Sequence, residues 1–140
     1  MRILCISTWD PFPPTNGSEL RACYLLRALA ERHQVTLLAF RPGARPASQE
    51  AALAPPPGLT VHTVPVDPFR YVGAPQWAKF FSPIPLALWP SALMRQAARR
   101  MAATTTFDAV VAFQLPAASY ALLFKGVPRL LDVDTALGFA

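Results

Sequence analysis

The chain has 140 residues, a length typical of one domain with a true hydrophobic core. Hydrophobic residues make up 53% and charged residues only 15%, a composition that excludes intrinsic disorder. The net charge of +5 suits phosphate-bearing ligands, acidic lipids or nucleic acid. The basic residues are scattered apart from Arg95 to Arg100, and no basic stripe alternates with aromatic residues, so we do not expect nucleic-acid binding.

The first part of the chain is predicted to form a strand, a helix and a second strand. The apolar run from Arg2 to Ser7 is typical of a strand buried on both faces. Helical spacing follows from Ser18 to about Arg32, and a second apolar strand runs from Gln34 to Phe40. This order predicts a parallel pair with a right-handed crossover. The spacing assigns four residues to the apolar face of the helix: Leu20, Tyr24, Leu25 and Leu29.

The remaining elements continue the alternation of strands and helices. The predicted strands are 59–66, 107–113 and 127–133, and the predicted helices are 91–102, capped by Ser91, and 117–124. A short helical turn is also predicted around residues 51–54. We therefore expect an α/β fold with a doubly wound, mostly parallel, Rossmann-like sheet. Because the chain stops soon after the fifth strand, we expect it to be an incomplete piece of a longer protein.

The loop between the first strand and the first helix, "TWDPFPPTNGSELR", carries three prolines and one glycine. Ligands of a doubly wound sheet bind outside the carboxyl ends of its strands, and this loop starts at such an end. The prolines stiffen the loop, and Gly17 lets the backbone pass close to a ligand. Asn16 or Ser18 can cap the helix, whose free N–H groups attract anions.

Arg21 lies in the first turn of that helix, where a cation opposes the helix dipole by roughly 0.3–1 kcal/mol. A bound phosphate would reverse this penalty and accept hydrogen bonds from the guanidinium group. The alternative is that Arg21 pairs with an acid such as Asp10 or points into water. The loop is neither the dinucleotide-binding GxGxxG motif nor a Walker loop, because the required glycines and lysine are absent.

The stretch "MRILCISTWDPFPPTNGSELRACYLLRALAERHQVTLLAF" resembles the opening of GT-B glycosyltransferases of the family 4 type. The later "FDAVVAFQLPAASYALLFKGVPRLLDVDTALG" is similar to that family's fourth and fifth strands. The resemblance implies the N-terminal, acceptor-side domain of a two-domain enzyme. Such an enzyme moves a sugar from a nucleotide-sugar to a hydroxyl acceptor, either a glycan or a lipid-linked acceptor, with retention. The donor domain would be missing, so this chain alone should be inactive, and no metal or other cofactor is implied.

The resemblance also assigns roles to individual residues. Gly17 and Ser18, beside Asn16, would approach the donor diphosphate, with help from Arg21. Gln114 and Asp132 would line the acceptor side of the cleft, and Asp134 is the best candidate for the catalytic group that contacts the acceptor hydroxyl. The chain departs from the family at two positions. Many relatives carry a histidine where this chain has Ala112 and Phe113, and another in place of the second aspartate of "DVD".

Two other functions stay open: a non-catalytic Rossmann-like binding module and an adaptor on a membrane surface. The aromatic stretch from Phe69 to Trp89, with the arginines after it, could rest on an anionic membrane. We favour the alternative, in which the large aromatic residues of this stretch are core residues: Trp77, Phe80, Phe81 and Trp89. The start of the chain is too short for a signal-peptide core, so the expected compartment is the cytoplasm, with contact at the inner membrane face as the alternative.

The remaining titratable residues have plainer interpretations. The two cysteines lie in apolar runs and are expected to be core residues rather than a disulfide or a metal pair. Both histidines are expected to be structural or exposed. Asp108 opens the fourth strand, at the end of the sheet away from the predicted cleft, and is expected to be structural. These residues are Cys5, Cys23, His33, His62 and Asp108.

Overall fold

A computed structural model describes residues 1–43, 54–68 and 90–133 of the chain. Over these residues the strands form a five-stranded, all-parallel sheet. The predicted doubly wound α/β sheet is thus confirmed. The elements, in chain order, are β1 (Arg2–Ser7), α1 (Gly17–Ala30), β2 (Gln34–Phe40), β3 (Leu59–Val64), α2 (Ala92–Thr104), β4 (Ala109–Phe113), α3 (Leu115–Ala121) and β5 (Arg129–Asp132).

The central strand β1 is buried on both faces, as its apolar sequence predicts. It pairs with β2 on one side and β4 on the other, with Cys5 opposite both Leu37 and Val111. Helix α1 covers one face of the sheet, where Cys5 and Cys23 belong to a single buried cluster. Helices α2 and α3 cover the other face, and their buried residues pack with Leu4 and Ile6 of β1. Two helical layers around one sheet explain why the inner strands are mainly apolar on both faces.

The predicted apolar face of α1 is wrong. Three of its four members are exposed, since Leu20 is 44% accessible, Tyr24 66% and Leu25 38%. The helix instead buries a neighbouring stripe that consists mainly of small residues: Ala22, Cys23 and Leu26. Small side chains let the helix axis approach the sheet closely, whereas a stripe of leucines and a tyrosine would hold it away. The larger apolar residues are consequently left on the outside.

The helix α2 follows its prediction closely. The side chain of Ser91 accepts a hydrogen bond from the Met94 amide at 3.4 Å, which is the expected cap. Met94 and Ala98 are buried, with Ala97 and Met101 packed against the same cluster. Helix α3 starts two residues before its predicted boundary, because Leu115 and a proline form its first turn, and it ends at Ala121 rather than at residue 124.

The strand order, β3-β2-β1-β4-β5, places the topological switch point of the sheet between β1 and β4. From β1 the chain moves outward to β2 and β3, then returns across the sheet to β4 and β5. The crevice at the carboxyl ends of β1 and β4 is the position at which this architecture binds ligands. Predictions for residues 44–53, for the aromatic segment 69–89 and for residues 134–140 lie outside the described residues.

Candidate functional site

A narrow cleft lies at the carboxyl edge of the sheet, where β1, β4 and β5 end and α1 begins. It is small, with a water-accessible volume of about 10 Å³, which is room for roughly one water molecule. Four residues that the sequence singled out lie together in its wall, although they are widely separated along the chain. The lining consists of Ser7, Trp9, Ser18, Arg21, Ala22, Phe113, Gln114 and Asp132.

The proline-rich loop is fastened to the carboxyl edge of the sheet by Asp10. This aspartate is only 2% exposed, and its carboxylate accepts hydrogen bonds from Nε of Arg41 at 2.8 Å and from Nη2 of the same guanidinium. Its other oxygen accepts the Phe12 amide at 3.0 Å, and its own amide donates to the Phe40 carbonyl at 3.0 Å. The loop therefore folds over the ends of the strands rather than away from them.

This anchoring role of Asp10 was missed by sequence reasoning, which considered the residue only as a partner for Arg21. A usable signal was present. An aspartate shortly after a buried strand and directly before a proline is a common turn former, because its carboxylate accepts from the amide two residues later. The contact between Asp10 and Phe12 has this geometry. The partner Arg41, at the end of β2, could not be identified from spacing, since 31 positions separate the two residues.

Asn16 caps helix α1, and Ser18 lies inside the helix. The side-chain oxygen of Asn16 accepts from the Glu19 amide at 3.0 Å, and its carbonyl accepts from the Leu20 amide at 2.9 Å. Two amides of the first turn, those of Gly17 and Ser18, have no acceptor among the described residues. These amides lie at the amino end of the helix, where the helix dipole attracts negative charge. The start of α1 is thus able to bind an anion.

Gly17 is not required by the packing of the fold. A Cβ atom built at this position meets no other atom within 4 Å. Space for a side chain is therefore open, and the helix itself would be favoured by alanine over glycine. Packing therefore gives no reason for a glycine at this position. A substitution that weakens ligand binding here can be distinguished from one that destabilises the fold.

Arg21 forms an ion pair with Asp132 across the cleft. Its Nη2 atom donates to Oδ1 of Asp132 at 2.8 Å, linking the first turn of α1 to the end of β5. The Arg21 side chain is 48% exposed and the Asp132 side chain 17%. The sequence offered Asp10 or water as the alternative partner of Arg21; Asp10 instead contacts Arg41. The donor-side cation and the acceptor-side carboxylate that the resemblance assigned to separate roles are in direct contact.

Gln114 has an unusual backbone conformation at the end of β4, with φ of 70° and ψ of 155°. A residue other than glycine in this region costs roughly 1–3 kcal/mol. The conformation is held by two backbone hydrogen bonds. The Gln114 N–H donates to the backbone carbonyl of Asp132 at 2.9 Å, and the Ala117 N–H donates to the backbone carbonyl of Gln114 at 3.1 Å. This conformation turns the chain sharply from β4 into α3 and puts Gln114 into the cleft wall beside Asp132.

The candidate catalytic residue Asp134 lies outside the described residues. Within residues 1–43, 54–68 and 90–133, no group of three or more histidine, cysteine or acidic side chains could hold a metal ion. Over the same residues, no helix has the length and apolar character needed to span a bilayer. Cys5 and Cys23 are buried free thiols, in agreement with their interpretation as core residues.

A wider depression of about 470 Å³ lies at the opposite, amino edge of the sheet. Here the Asp108 carboxylate accepts a hydrogen bond from the Arg2 amide at 2.6 Å, so this aspartate fastens the start of β1, in line with a structural role. His33 lines the same depression. Ligands of doubly wound sheets bind at the carboxyl edge, and we therefore place the candidate site in the smaller cleft despite the difference in volume.

No protein family model matches the chain, and no curated protein is significantly similar to it. Among solved structures, the chain is similar to UGT2 of Phytolacca americana, a UDP-glycosyltransferase of the GT-B fold solved with UDP-2fluoro-glucose and pterostilbene. That likeness has a TM-score of 0.60 at 16% identity, over 94% of this chain and 30% of UGT2. The chain is also similar to the C-terminal domain of the PF1911 hydrogenase of Pyrococcus furiosus. That likeness has a TM-score of 0.47 at 17% identity, over 94% of this chain and 90% of the hydrogenase domain.

The similarity to UGT2 shows the fold, a Rossmann-like sheet also found in a GT-B glycosyltransferase. The chain spans less than a third of the length of UGT2. The similarity to the hydrogenase domain is too weak to support an argument. The family 4 assignment stays a prediction, since the neighbour is a UDP-glycosyltransferase and the identity is low.

Proposed function

We propose that this chain is the acceptor-side, N-terminal domain of a GT-B glycosyltransferase of the family 4 type. The enzyme would transfer a sugar from a nucleotide-sugar to a hydroxyl group of a glycan or lipid-linked acceptor. One observation carries the proposal: Ser18, Arg21, Gln114 and Asp132 meet in a single cleft at the carboxyl edge of the sheet. The likeness in fold to a UDP-glycosyltransferase supports it.

The donor side of the proposed site is the first turn of α1. The amides of Gly17 and Ser18 have no acceptor among the described residues, and they can donate to phosphate oxygens of the nucleotide-sugar. Arg21 adds a guanidinium group that can bind two oxygens at once. Asn16 holds the turn in place through its bond to the Glu19 amide. The anchored loop before the helix fixes this geometry in advance, which lowers the entropic cost of binding.

The acceptor side is proposed to be the wall made by Gln114 and Asp132, with Asp134 two residues further on. A carboxylate accepts and an amide both donates and accepts, which suits a sugar hydroxyl. In the proposed reaction the bond from the anomeric carbon to the diphosphate breaks, and a bond to the acceptor oxygen forms on the same face. The acceptor hydroxyl gives its proton to the departing phosphate oxygen, the nucleoside diphosphate leaves, and we assign Asp134 to contact that hydroxyl.

A second domain, outside this chain, is proposed to supply the rest of the donor site. We place the reaction in the cytoplasm, at the inner face of the membrane where the acceptor is lipid-linked. The exposed arginines of α2 are the proposed contact with an anionic membrane. No metal or organic cofactor is assigned to the reaction, because helix amides and Arg21 can stabilise phosphate charge.

The proposal is tested with Arg21→Ala in the full-length protein. We expect binding of a nucleoside diphosphate, measured by isothermal titration calorimetry, to weaken about tenfold, the loss typical of a charge-assisted contact. Arg32→Ala is the matched control, since this exposed arginine follows the other end of α1. Both variants should stay folded and melt within a few degrees of the wild type, because the ion pair lost in Arg21→Ala contributes no more than about 1 kcal/mol. Equal affinities in the wild type and Arg21→Ala would refute the donor site, and binding without sugar transfer would point to the non-catalytic module.

A further inference from the structure

The ion pair between Arg21 and Asp132 engages the guanidinium group that the proposed function assigns to the donor phosphates. Both side chains line the same cleft, and with the pair closed the cleft has room for about one water molecule. A phosphate group is several times larger than a water molecule. For a phosphate to enter this cleft and contact Arg21, one of the two side chains has to move.

Arg21 is the partner that can move. Its side chain is 48% exposed and extends from a helix surface, so it can rotate about several bonds. Asp132 is at the end of a paired strand, and its carbonyl accepts the Gln114 amide at 2.9 Å. Its short side chain is only 17% exposed. When Arg21 turns toward a ligand, the Asp132 carboxylate stays in the cleft wall.

We propose that Asp132 competes with an incoming diphosphate for the guanidinium group of Arg21, so that the diphosphate has to break this ion pair. This inference rests on the proposed function, because it assumes that Arg21 binds the donor phosphates. Asp132 weakens anion binding in two ways: it occupies the guanidinium group, and it repels a second negative charge nearby. A single carboxylate ligand would only replace Asp132 and gain nothing. A diphosphate can also reach the free amides at the start of α1, so Asp132 selects ligands that make both contacts.

The strength of this competition is modest. Ion pairs between exposed side chains contribute up to about 1 kcal/mol, which corresponds to a factor of about five in affinity. Removal of the Asp132 charge should therefore tighten diphosphate binding about fivefold. The alternative role for Asp132 predicts the opposite sign: if the carboxylate mainly holds Arg21 in the binding orientation, its removal should weaken binding.

Titration of the full-length protein with inorganic pyrophosphate, followed by calorimetry, distinguishes the two roles. Asp132→Asn keeps the shape of the side chain, and the backbone carbonyl of residue 132 can still accept the backbone N–H of Gln114. We expect it to bind pyrophosphate about fivefold more tightly. Glu31→Gln, which removes one negative charge at the far end of α1, is the control and should change the affinity by less than about twofold. In an Arg21→Ala background the effect of Asp132→Asn should shrink, since only direct repulsion remains.

The outcomes separate this inference from the proposed function. If Arg21→Ala leaves pyrophosphate binding unchanged, the donor site itself is wrong and the competition has no meaning. If Arg21→Ala weakens binding while Asp132→Asn leaves it equal or weaker, the donor site stands and the role of Asp132 as a competitor is overturned. Thermal melting of each variant shows whether the fold is retained, and Asp132→Ser gives a second, smaller neutral side chain for which the same tightening is expected.

Discussion

The anchoring of the proline-rich loop by Asp10 gives a sharp test of how this fold prepares its cleft. Asp10→Asn removes the negative charge but keeps an oxygen that can accept the Phe12 amide. Hydrogen bonds between charged groups contribute about 1.5–3 kcal/mol. Because the Arg41 side chain is 33% exposed and can be solvated when its partner is neutral, we expect a loss near the lower end, about 1.5–2 kcal/mol.

Asp10→Ala should lose more, because it also leaves the Phe12 amide without its acceptor. An unpaired buried donor costs roughly 1–3 kcal/mol, so the total loss should be about 3–4 kcal/mol. The assay is urea unfolding followed by circular dichroism, with the slope of the transition checked for two-state behaviour. Asp108→Asn makes the same chemical change at an exposed carboxylate and should cost less than about 1 kcal/mol.

The anchoring role of Asp10 is refuted if the free energy of unfolding of Asp10→Asn lies within about 0.5 kcal/mol of the wild-type value, the range expected for an ordinary surface substitution. It is also refuted if Asp10→Ala and Asp10→Asn have the same free energy of unfolding, since the hydrogen bond of the Phe12 amide would then contribute nothing. A loss in Asp10→Asn accompanied by weaker pyrophosphate binding would show that the anchored loop prepares the start of α1 for the ligand.

Three further predictions concern single residues. Gly17→Ala should leave the melting temperature equal or slightly higher, because its Cβ meets no atom within 4 Å, while nucleoside diphosphate binding by calorimetry should weaken if phosphate approaches the backbone there. Gln114→Gly should stabilise the fold by about 1 kcal/mol in urea unfolding, since the relief of strain exceeds the entropic cost of glycine, whereas Gln114→Ala should not stabilise it. Burial raises the pKa of Cys5 from 9.0 to about 12, so its thiol should resist aromatic disulfide reagents at pH 8 until the protein is unfolded. The same shift should lower stability between pH 9 and about 12, because only the unfolded thiol ionises there; a native-state burst of reaction at Cys5 would contradict the buried position.

The fold could be predicted from sequence because its strands are locally unambiguous. The run that forms β1 is apolar at every inner position, and the run that forms β2 is apolar at all of them but Thr36, so no choice of face was needed, and both were predicted with the observed boundaries. The buried face of α1 was different. Two apolar stripes run along this helix, and the choice between them depends on how closely Cys23 and its neighbours can approach the sheet. That distance is a property of the tertiary structure, and the larger residues misled the prediction.

The position of the candidate site could also be predicted, but its contacts could not. Parallel strands in a doubly wound sheet end at one edge, which places Gln114 and Asp132 near the start of α1. The pair between Arg21 and Asp132 joins residues 111 positions apart, and no local spacing encodes it. The positive φ of Gln114 has no sequence signal either, because glutamine rarely adopts it. Sequence pattern identified the edge, and long-range packing determined which groups touch.

The charges of the cleft set a limit on how tightly this chain can bind a donor by itself. In the described part of its wall, the positive charge of Arg21 is matched by the negative charge of Asp132, and the start of α1 adds only about half a charge. A diphosphate group carries at least two negative charges. The described residues can therefore neutralise only part of the diphosphate charge, even when Arg21 has released Asp132 and binds the diphosphate. Under the proposed function, the surface that closes over this cleft has to bring further positive charge, and tight binding of a nucleotide-sugar requires both surfaces at once.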